Sequence, residues 1–174
     1  MRKLTHEEII ARQVQKTREP RIPLVVVLDN IRSLYNVGAI FRTADGIGVS
    51  KLWLCGITGY PPQGDIAKTA LGAEDSVPWE YSKDVVSVVR RLKQEKYKIV
   101  LLEQMEESVP YERFLPDGPV ALVVGNEVEG VCDEVCALAD KALEIGMLGV
   151  KNSLNVAIAF GVVAFDLRVK LSRG

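Results

Sequence analysis

The chain has 174 residues, of which 48% are hydrophobic, and its formal net charge is −1 at pH 7. A chain of this length and composition buries one sizeable core, which excludes a disordered or fibrous protein and favours one folded domain. The near-neutral charge gives no strong positive field, so binding to a nucleic acid would depend on a local basic patch.

The N-terminal segment predicts a basic helix. Thr5 and Glu8 form the pattern of a capping box, so a helix is predicted from His6 to about Arg18, before two prolines. Residues 1–22 are therefore interpreted as a basic N-terminal extension. A solvated helix face and an arm that contacts a polyanion both fit this composition. The first residues, MRKLTHEEII, lack the apolar segment of a signal peptide.

Beyond the extension, apolar runs alternate with helical and polar segments. Strands are predicted at 24–28, 51–56, 99–103, 120–125 and 142–146, with a shorter one within 76–82. Helices are predicted at 37–48 and 83–96, a helical turn at 66–71 within a loop over 59–73, and a final apolar helix near 155. Continuous apolar strands that alternate with helices are typical of an α/β fold with a mostly parallel sheet and helices on both faces.

Several kinds of site are disfavoured by the residues that the chain contains. Three cysteines and one histidine suit neither a disulfide framework nor a zinc site, and Cys132 and Cys136, at helical spacing, are interpreted as small buried hydrophobic residues. The glycines at 46–48 and 125–130 lack the other residues of Rossmann and P-loop motifs. No uncharged apolar run reaches the roughly 20 residues that span a bilayer, so a cytoplasmic protein is expected.

Three polar segments remain next to predicted strands or helices, where ligands bind in α/β folds. In the first, at 29–46, Asn36 lies at the predicted N-cap of a helix and Arg42 lies farther along it. An arginine beside apolar neighbours indicates either an anion-binding site or an internal ion pair with Asp45, and the spacing favours neither.

The second and third segments are shorter. In VVGNEVEGV, at 123–131, Glu127 follows a buried strand and is either a site residue or an ordinary exposed acid. In GMLGVKNSLNVAIAFGVVAF, at 146–165, Ser153 is predicted to cap the final helix and Asn155 to lie in its first turn. Capping explains the serine but leaves Asn155 without a role.

Taken in order, NVGAIFRTA, VVGNEVEG and SLNVAIA resemble the three signature motifs of the SpoU (TrmH) family of RNA ribose 2′-O-methyltransferases, in the SPOUT superfamily. The resemblance spans residues 23 to 170. It implies an enzyme that uses S-adenosylmethionine to methylate a ribose 2′-hydroxyl of tRNA or rRNA. It also implies a C-terminal trefoil knot, a homodimer, and a methyltransferase domain at 23–174.

The resemblance also implies which residues form the site. The catalytic set would be Asn36, Arg42, Glu127, Ser153 and Asn155, with Arg42 near the ribose 2′-hydroxyl. The cofactor would be held, largely by backbone groups, at Leu102, Glu103, Gln104, Gly125, Ile145, Met147, Ser153 and Leu154. Arg42 is either the base or a phosphate-binding group, and a guanidinium hardly deprotonates at neutral pH.

Two questions follow from these motifs. The third motif usually has a proline before the methionine; Gly146 replaces it here, and cofactor affinity is the property that this change affects. An alternative function is a catalytically silent, dimeric RNA-binding protein of the same fold, and another is an unrelated α/β enzyme. RNA contacts are expected from the N-terminal extension, the dimer surface and a basic patch formed by Arg90, Arg91, Lys93, Lys96 and Lys98.

Overall fold

A sheet of parallel strands forms the centre of the computed structural model, which describes residues 1–16 and 20–172. Within these residues the strands are β1 (Ile22–Asp29), β2 (Val49–Cys55), β3 (Trp79–Ser82), β4 (Lys98–Leu102), β5 (Val109–Pro110), β6 (Val120–Val124) and β7 (Lys141–Glu144). Their spatial order is β3-β2-β1-β6-β4-β7-β5, and all neighbouring pairs are parallel. The prediction of a mostly parallel α/β sheet is confirmed.

The helices of the described residues are α1 (His6–Lys16), α2 (Leu34–Ile47), α3 (Gly64–Ala70), α4 (Ala73–Ser76), α5 (Val85–Gln94), α6 (Asp133–Cys136) and α7 (Val156–Leu171). The predicted end of the first helix near Arg18 lies outside the described residues. The loop predicted over 59–73 contains α3, which begins two residues before the predicted turn, because no glycine or proline interrupts residues 65–71. None of the described helices is long and apolar enough to cross a bilayer.

Alternate residues of β1 enter two separate cores, one on each face of the sheet. Leu24, Val26 and Leu28 pack in the core that contains α2, α3 and α7. Val25 and Val27 pack in the core that contains α5 and α6. Because both faces are covered, β1 is apolar from Leu24 to Leu28, and each buried aliphatic side chain contributes about 1.5–3 kcal/mol. Helices on both faces of the sheet are therefore confirmed.

The strand order brings the polar segments to one edge of the sheet. From β1 the chain moves outward through β2 to β3, and β6 and β4 then add on the other side of β1. The order thus reverses beside β1, where α/β folds bind ligands beyond the carboxyl ends of their strands. The segments that follow β1, β4, β6 and β7 all lie at this carboxyl edge.

The helix caps correct two predictions. Ser33, not Asn36, is the N-cap of α2, and its Oγ accepts a hydrogen bond from the Asn36 backbone at 3.3 Å. Asn155, not Ser153, caps α7, and its Oδ1 accepts from the backbone of Ala157 at 3.0 Å. Serine and asparagine are comparable N-caps, so the sequence alone did not distinguish neighbouring candidates.

The cysteine prediction holds only in part. Cys55 is buried, whereas Cys132 and Cys136 are half-buried, and all three are free thiols. Burial, with a smaller effect of the Asp29 charge, raises the pKa of the Cys132 thiol to about 11. The thiol at the start of α6 is therefore protonated at neutral pH and is a weak nucleophile.

Candidate functional site

A cavity of about 330 Å³ opens at the carboxyl ends of β4, β6 and β7. The segments that follow these strands form its walls, together with residues 152–154 and the first turn of α7. Its volume lies in the range of small-molecule sites. The cavity is lined by every residue that the sequence motifs assigned to the cofactor: Leu102, Glu103, Gln104, Gly125, Ile145, Met147, Ser153 and Leu154.

Glycines allow the loop after β6 to fold tightly beside the cavity. A Cβ on Gly125 would lie 2.3 Å from backbone atoms of Gly130 and Val131. Gly130 itself has a φ of 73°, and a Cβ there would lie 2.4 Å from a carboxylate oxygen of Glu103. A side chain at Gly125 would force the loop away from the strand, and one at Gly130 would be strained at this φ and would displace the Glu103 carboxylate.

Side-chain hydrogen bonds tie three walls of the cavity together. The Glu103 carboxylate accepts from the backbone of Gln104 at 2.9 Å and of Val131 at 3.2 Å. The Gln104 side chain donates to the carbonyl of Asn152 at 2.6 Å. The segment after β4 is thereby linked both to the loop after β6 and to the segment before α7.

Glu127 joins the cavity to the start of α2. Its carboxylate accepts hydrogen bonds from the backbone of Arg32 at 3.0 Å and of Ser33 at 3.2 Å, and from the Asn36 side chain at 2.9 Å. The side-chain oxygen Oδ1 of Asn36 in turn accepts from the Asn155 side chain at 3.1 Å. The structure therefore brings together one residue from each of the three sequence motifs.

The hydrogen bonds to Glu127 outweigh the effect of its burial. Burial alone would raise the pKa of the Glu127 carboxyl, but donors from Arg32, Asn36, its own backbone and Ser33 lower it below its ordinary value. The carboxylate is therefore ionised at neutral pH, and it holds the first turn of α2 in place. This arrangement favours a site residue over an ordinary exposed acid.

Arg42 is exposed on α2, and its side chain has no ion pair or hydrogen bond within the described residues. The predicted alternative, an ion pair with Asp45, is wrong, because the Asp45 carboxylate accepts from the Ser76 hydroxyl at 2.6 Å. The apolar neighbours of Arg42 in the sequence are buried on the opposite side of the helix. The guanidinium is thus free to bind an external anion.

Ser153 and Leu154 are exposed at the mouth of the cavity, ahead of the Asn155 cap. Ser153 lies in the wall of the cavity, and it is not engaged in capping α7. Its hydroxyl is therefore available to a bound molecule.

Buried polar residues that the sequence did not single out support the site. The Asn126 side chain donates to the carbonyl of Asn30 at 2.8 Å, and its oxygen accepts from the backbone of Val128 at 2.8 Å. Asp29, fully buried at the end of β1, accepts from the backbone of Cys132 at 3.1 Å. The bonds from Asn126 to Asn30 and from Cys132 to Asp29 join residues about 100 positions apart, and only a polar residue at the end of an apolar run could have indicated them.

Internal ion pairs neutralise much of the predicted basic patch. Arg91 pairs with Glu95 at 2.9 Å, and the remaining pairs join Lys93 to Asp140 at 2.9 Å and Lys98 to Asp117 at 2.7 Å. Asp140 and Asp117 lie outside α5 and its local helical spacing, so the sequence pattern does not indicate them as partners. Three of the five cations are thus less available to RNA than predicted.

The described residues contain no group of three or more His, Cys, Asp or Glu side chains arranged to hold a metal ion. The charged side chains that line the cavity within the same residues are Glu103, Glu127 and Glu144. The cavity therefore presents a negative potential, which favours a ligand with positive charge.

Comparison with known sequences gives consistent matches. The profile of the SpoU rRNA Methylase family matches residues 23–165. A tRNA (guanosine(18)-2′-O)-methyltransferase of Aquifex aeolicus is 35% identical over 147 residues, which are 82% of this chain and 67% of that protein. The enzyme of the same name from Thermus thermophilus is 32% identical over 163 residues, covering 93% of this chain and 82% of its own.

A third relative acts on a different RNA, and two solved structures share the fold. The 23S rRNA (guanosine-2′-O-)-methyltransferase RlmB of Neisseria meningitidis is 32% identical over 84% of this chain and 58% of its own. The Aquifex aeolicus TrmH/SpoU tRNA modifying enzyme superposes with a TM-score of 0.82 at 28% identity, covering 95% of this chain and 85% of its own. The AdoMet-bound rRNA methyltransferase of Sinorhizobium meliloti superposes with a TM-score of 0.79 at 29% identity, covering 90% of this chain and 60% of its own.

Proposed function

The chain belongs to the SpoU rRNA Methylase family, and on that premise we propose that it is an S-adenosylmethionine-dependent methyltransferase acting on a ribose 2′-hydroxyl of tRNA or rRNA. One observation carries the proposal. The residues assigned to the cofactor surround one cavity, and Glu127 in its wall bonds to Asn36, which bonds to Asn155. A cofactor site and a substrate site therefore adjoin each other.

The residues of the cavity suit S-adenosylmethionine. Leu102, Ile145 and Leu154 offer apolar surface to its adenine ring, and the carboxylates of Glu103 and Glu144 favour its positive charges. When bound, S-adenosylmethionine supplies a methyl group that its sulfonium has already activated. The protein then has to position the acceptor hydroxyl and exclude competing water.

The substrate side of the proposed site consists of Arg42, Asn36, Asn155 and Ser153. Arg42 provides a positive charge that no described acid neutralises, and it would bind a phosphate next to the acceptor ribose. A cation there also lowers the pKa of a nearby hydroxyl. Glu127 is assigned a positioning role, because a carboxylate with a lowered pKa is a weak proton acceptor.

We propose further that two chains pair through α7. One side of this helix is buried in the core of its own subunit, at Phe160, Val163, Ala164 and Leu167. The other side exposes an apolar stripe, called here the α7 stripe: Ile158, Val162, Phe165 and Val169, each 36–58% exposed. A helix that is apolar on both sides is expected to be covered by a second surface, and an identical subunit provides it.

The C-terminal trefoil knot of the family is part of the proposal. The packing of α7 against α2 and β1, and the hydrogen bond from Gln104 to Asn152, support a return of the C-terminal segment across the sheet edge. We also propose residues 23–174 as the methyltransferase domain, and residues 1–22 as an extension that contacts RNA in the cytoplasm.

The extension carries cations whose availability differs. The capping box of α1 is present, since the Thr5 backbone donates to the Glu8 carboxylate at 2.8 Å and the Glu8 backbone donates to the Thr5 hydroxyl at 3.3 Å. Arg2 pairs with the same glutamate at 2.7 Å, whereas Arg12 is exposed. The side chains of Lys16 and Arg18 lie outside the described residues. Arg12 is thus the described cation of α1 that supports contact with RNA.

Methyl transfer to RNA tests the proposed function directly. Purified protein is incubated with radiolabelled S-adenosylmethionine and with total RNA from cells that either have or lack the gene. We expect label only in RNA from cells without the gene, in nucleotides that resist alkaline cleavage because their 2′-oxygen is methylated. RNA binding without label would support the silent RNA-binding protein. Absence of both RNA and cofactor binding would support an unrelated enzyme.

A further inference from the structure

We propose that Tyr60 and Tyr81 form a stacking site for an unpaired base of the substrate RNA, outside the cavity and beside the acceptor ribose. The inference rests on the proposed function and adds a second contact with the same substrate. The two rings lie 4.6 Å apart between centroids, inclined at 41°. They are called here the tyrosine pair, and their residues are 44% and 41% exposed. Exposed aromatic rings are the usual surface on which proteins stack single-stranded bases.

The tyrosine pair is supported from below. Trp79 lies 6.3 Å from the Tyr60 ring, and Phe41 in α2 meets Trp79 edge to face at 6.5 Å. The Tyr81 hydroxyl donates to the carbonyl of Gly56 at 3.0 Å. The rings are therefore held in place before RNA binds, which lowers the entropic cost of stacking.

The position of the tyrosine pair links it to the proposed active site. Tyr81 lies in β3, two strands from β1, and strands are spaced about 4.8 Å apart, so the two are about 10 Å from each other. Gly59, next to Tyr60, packs so closely on Leu34 that a Cβ would lie 2.1 Å from that side chain. Leu34 begins α2, two residues before Asn36. Stacked nucleotides repeat about every 3.4 Å, and a few of them span this distance.

Charge at this edge favours RNA over a protein partner. Arg32, which follows β1, and Lys83, which follows β3, are exposed, and neither side chain has an ion pair within residues 1–16 and 20–172. The nearby acids are engaged: Asp65 with Lys68 at 2.7 Å, and Asp84 with the N-terminus of α5. Free cations beside exposed rings are the combination that binds a phosphate backbone and its bases together.

The test compares Tyr60→Ala with Tyr60→Phe, which keeps the ring. Apparent Kd values are measured by filter binding with total RNA from cells that lack the gene. We expect Tyr60→Ala to weaken RNA binding about 10-fold and Tyr60→Phe to leave it unchanged, since one stacked base is lost only in the first variant. The Kd for S-adenosylmethionine should not change in either.

Salt dependence separates stacking from charge. Stacking releases no counterions, so Tyr60→Ala should keep the slope of log Kd against log salt concentration, whereas Lys83→Ala should reduce it by about 0.7. In methylation assays Tyr60→Ala should raise the KM for RNA and leave kcat unchanged.

The outcomes distinguish this site from the proposed enzyme. Equal RNA affinity of Tyr60→Ala and the wild type would overturn the stacking site, leave the methyltransferase intact, and assign the tyrosine pair to a protein partner. Equal loss in Tyr60→Phe and Tyr60→Ala would also overturn it, since the ring would then not matter. Weaker RNA binding by Tyr60→Ala, in a protein that transfers no methyl group, would support the stacking site and overturn the enzyme. A wild type that binds no RNA would overturn both.

Discussion

Glu127 shows how a single residue joins the two halves of the proposed site. Its carboxylate accepts hydrogen bonds from two backbone groups at the start of α2 and from the Asn36 side chain. Because these donors stabilise the ionised form, the folded protein binds a proton at Glu127 less readily than the unfolded chain does. The same contacts orient Asn36 towards Asn155. The positions of Asn36 and Asn155 therefore depend on the charge of Glu127 in the cavity wall.

This coupling predicts a stability loss in acid. The pKa of Glu127 is lower in the folded protein than the ordinary glutamate value of 4.5. Its ionised carboxylate therefore stabilises the fold at pH values above 4.5, and this stabilisation is lost as the pH falls through the pKa of the folded protein. We expect the unfolding free energy of Glu127→Gln to decrease less than that of the wild type between pH 6 and about pH 3. Urea denaturation at several pH values measures the difference. Glu129→Gln, an exposed neighbour, serves as the control and should follow the wild type.

Replacing Arg42 is expected to reduce methyl transfer without changing the stability of the protein. Its guanidinium is exposed and, within the described residues, without a partner, so Arg42→Ala should leave the Tm and the Kd for S-adenosylmethionine unchanged. Methyl transfer should fall about 100-fold or more, since one positioned cation at the reacting centre is removed. Single-turnover assays measure this rate. Arg113→Ala removes an exposed guanidinium outside the proposed RNA contacts and should keep more than half of the activity; a rate of Arg42→Ala within a few fold of wild type would contradict the assignment.

Replacing Gly146 with proline is expected to increase both the stability of the protein and its affinity for the cofactor. A Cβ at Gly146 meets no heavy atom within 4 Å, and its φ is outside the left-handed region. Gly146→Pro should raise the unfolding free energy by about 0.4–1 kcal/mol, because it restricts the unfolded chain. It should also tighten S-adenosylmethionine binding a few fold by fixing the loop before Met147. Calorimetry tests both effects, with Gly146→Ala as the comparison, and weaker cofactor binding by the proline variant would count against the proposed cofactor contact at Met147.

At the scale of elements, α7 combines three tasks in 16 residues. Its N-cap, Asn155, bonds to the acceptor side of the site, and one face completes the core beside α2. The α7 stripe covers the remaining face. Because cap and stripe share one rigid helix, any surface that packs on the stripe also fixes the position of Asn155 and Ser153. Pairing of two chains would therefore influence the active site as well as stability.

A charged residue within the α7 stripe is expected to dissociate the proposed dimer. Phe165→Asp would place an unpaired carboxylate in the proposed interface, which is costly in an apolar contact. We expect light scattering to report a dimer for the wild type and a monomer for Phe165→Asp at micromolar concentration, with methyl transfer strongly reduced. Leu115→Asp changes another exposed apolar residue and should leave the dimer intact. A monomeric wild type would refute pairing through α7.

At the scale of the whole molecule, the sheet order decides which residues can act together. Asn36 and Glu127 are 91 positions apart, and Asn36 and Asn155 are 119 apart, yet all meet at the carboxyl edge. Acids line the cavity, whereas exposed cations lie outside it. The cavity is therefore suited to a positively charged cofactor and the surrounding surface to a polyanion, although the net charge is only −1.

This division of charge predicts different salt responses for the two ligands. Arg32, Arg42, Lys83 and Lys151 are exposed and lack ion pairs within the described residues. If each contacts a phosphate, log Kd for RNA should change with log salt concentration with a slope of about 3, at roughly 0.7 per contact. Binding of S-adenosylmethionine should change far less. Both Kd values are measured in titrations between about 50 and 200 mM KCl, where such salt effects are large. A Kd for RNA that does not change with salt would contradict the charge assignment.

The sequence alone predicts the fold class and the segments that line the candidate site. Continuous apolar runs predict buried parallel strands because their spacing is local, and three short motifs in order indicated the family. Only the three-dimensional structure shows which residue caps each helix, that Glu127 holds Asn36, and that distant acids neutralise much of the basic patch. The last two outcomes depend on contacts between residues about 20 to 90 positions apart, and local patterns carry no information about such contacts until the strand order is known.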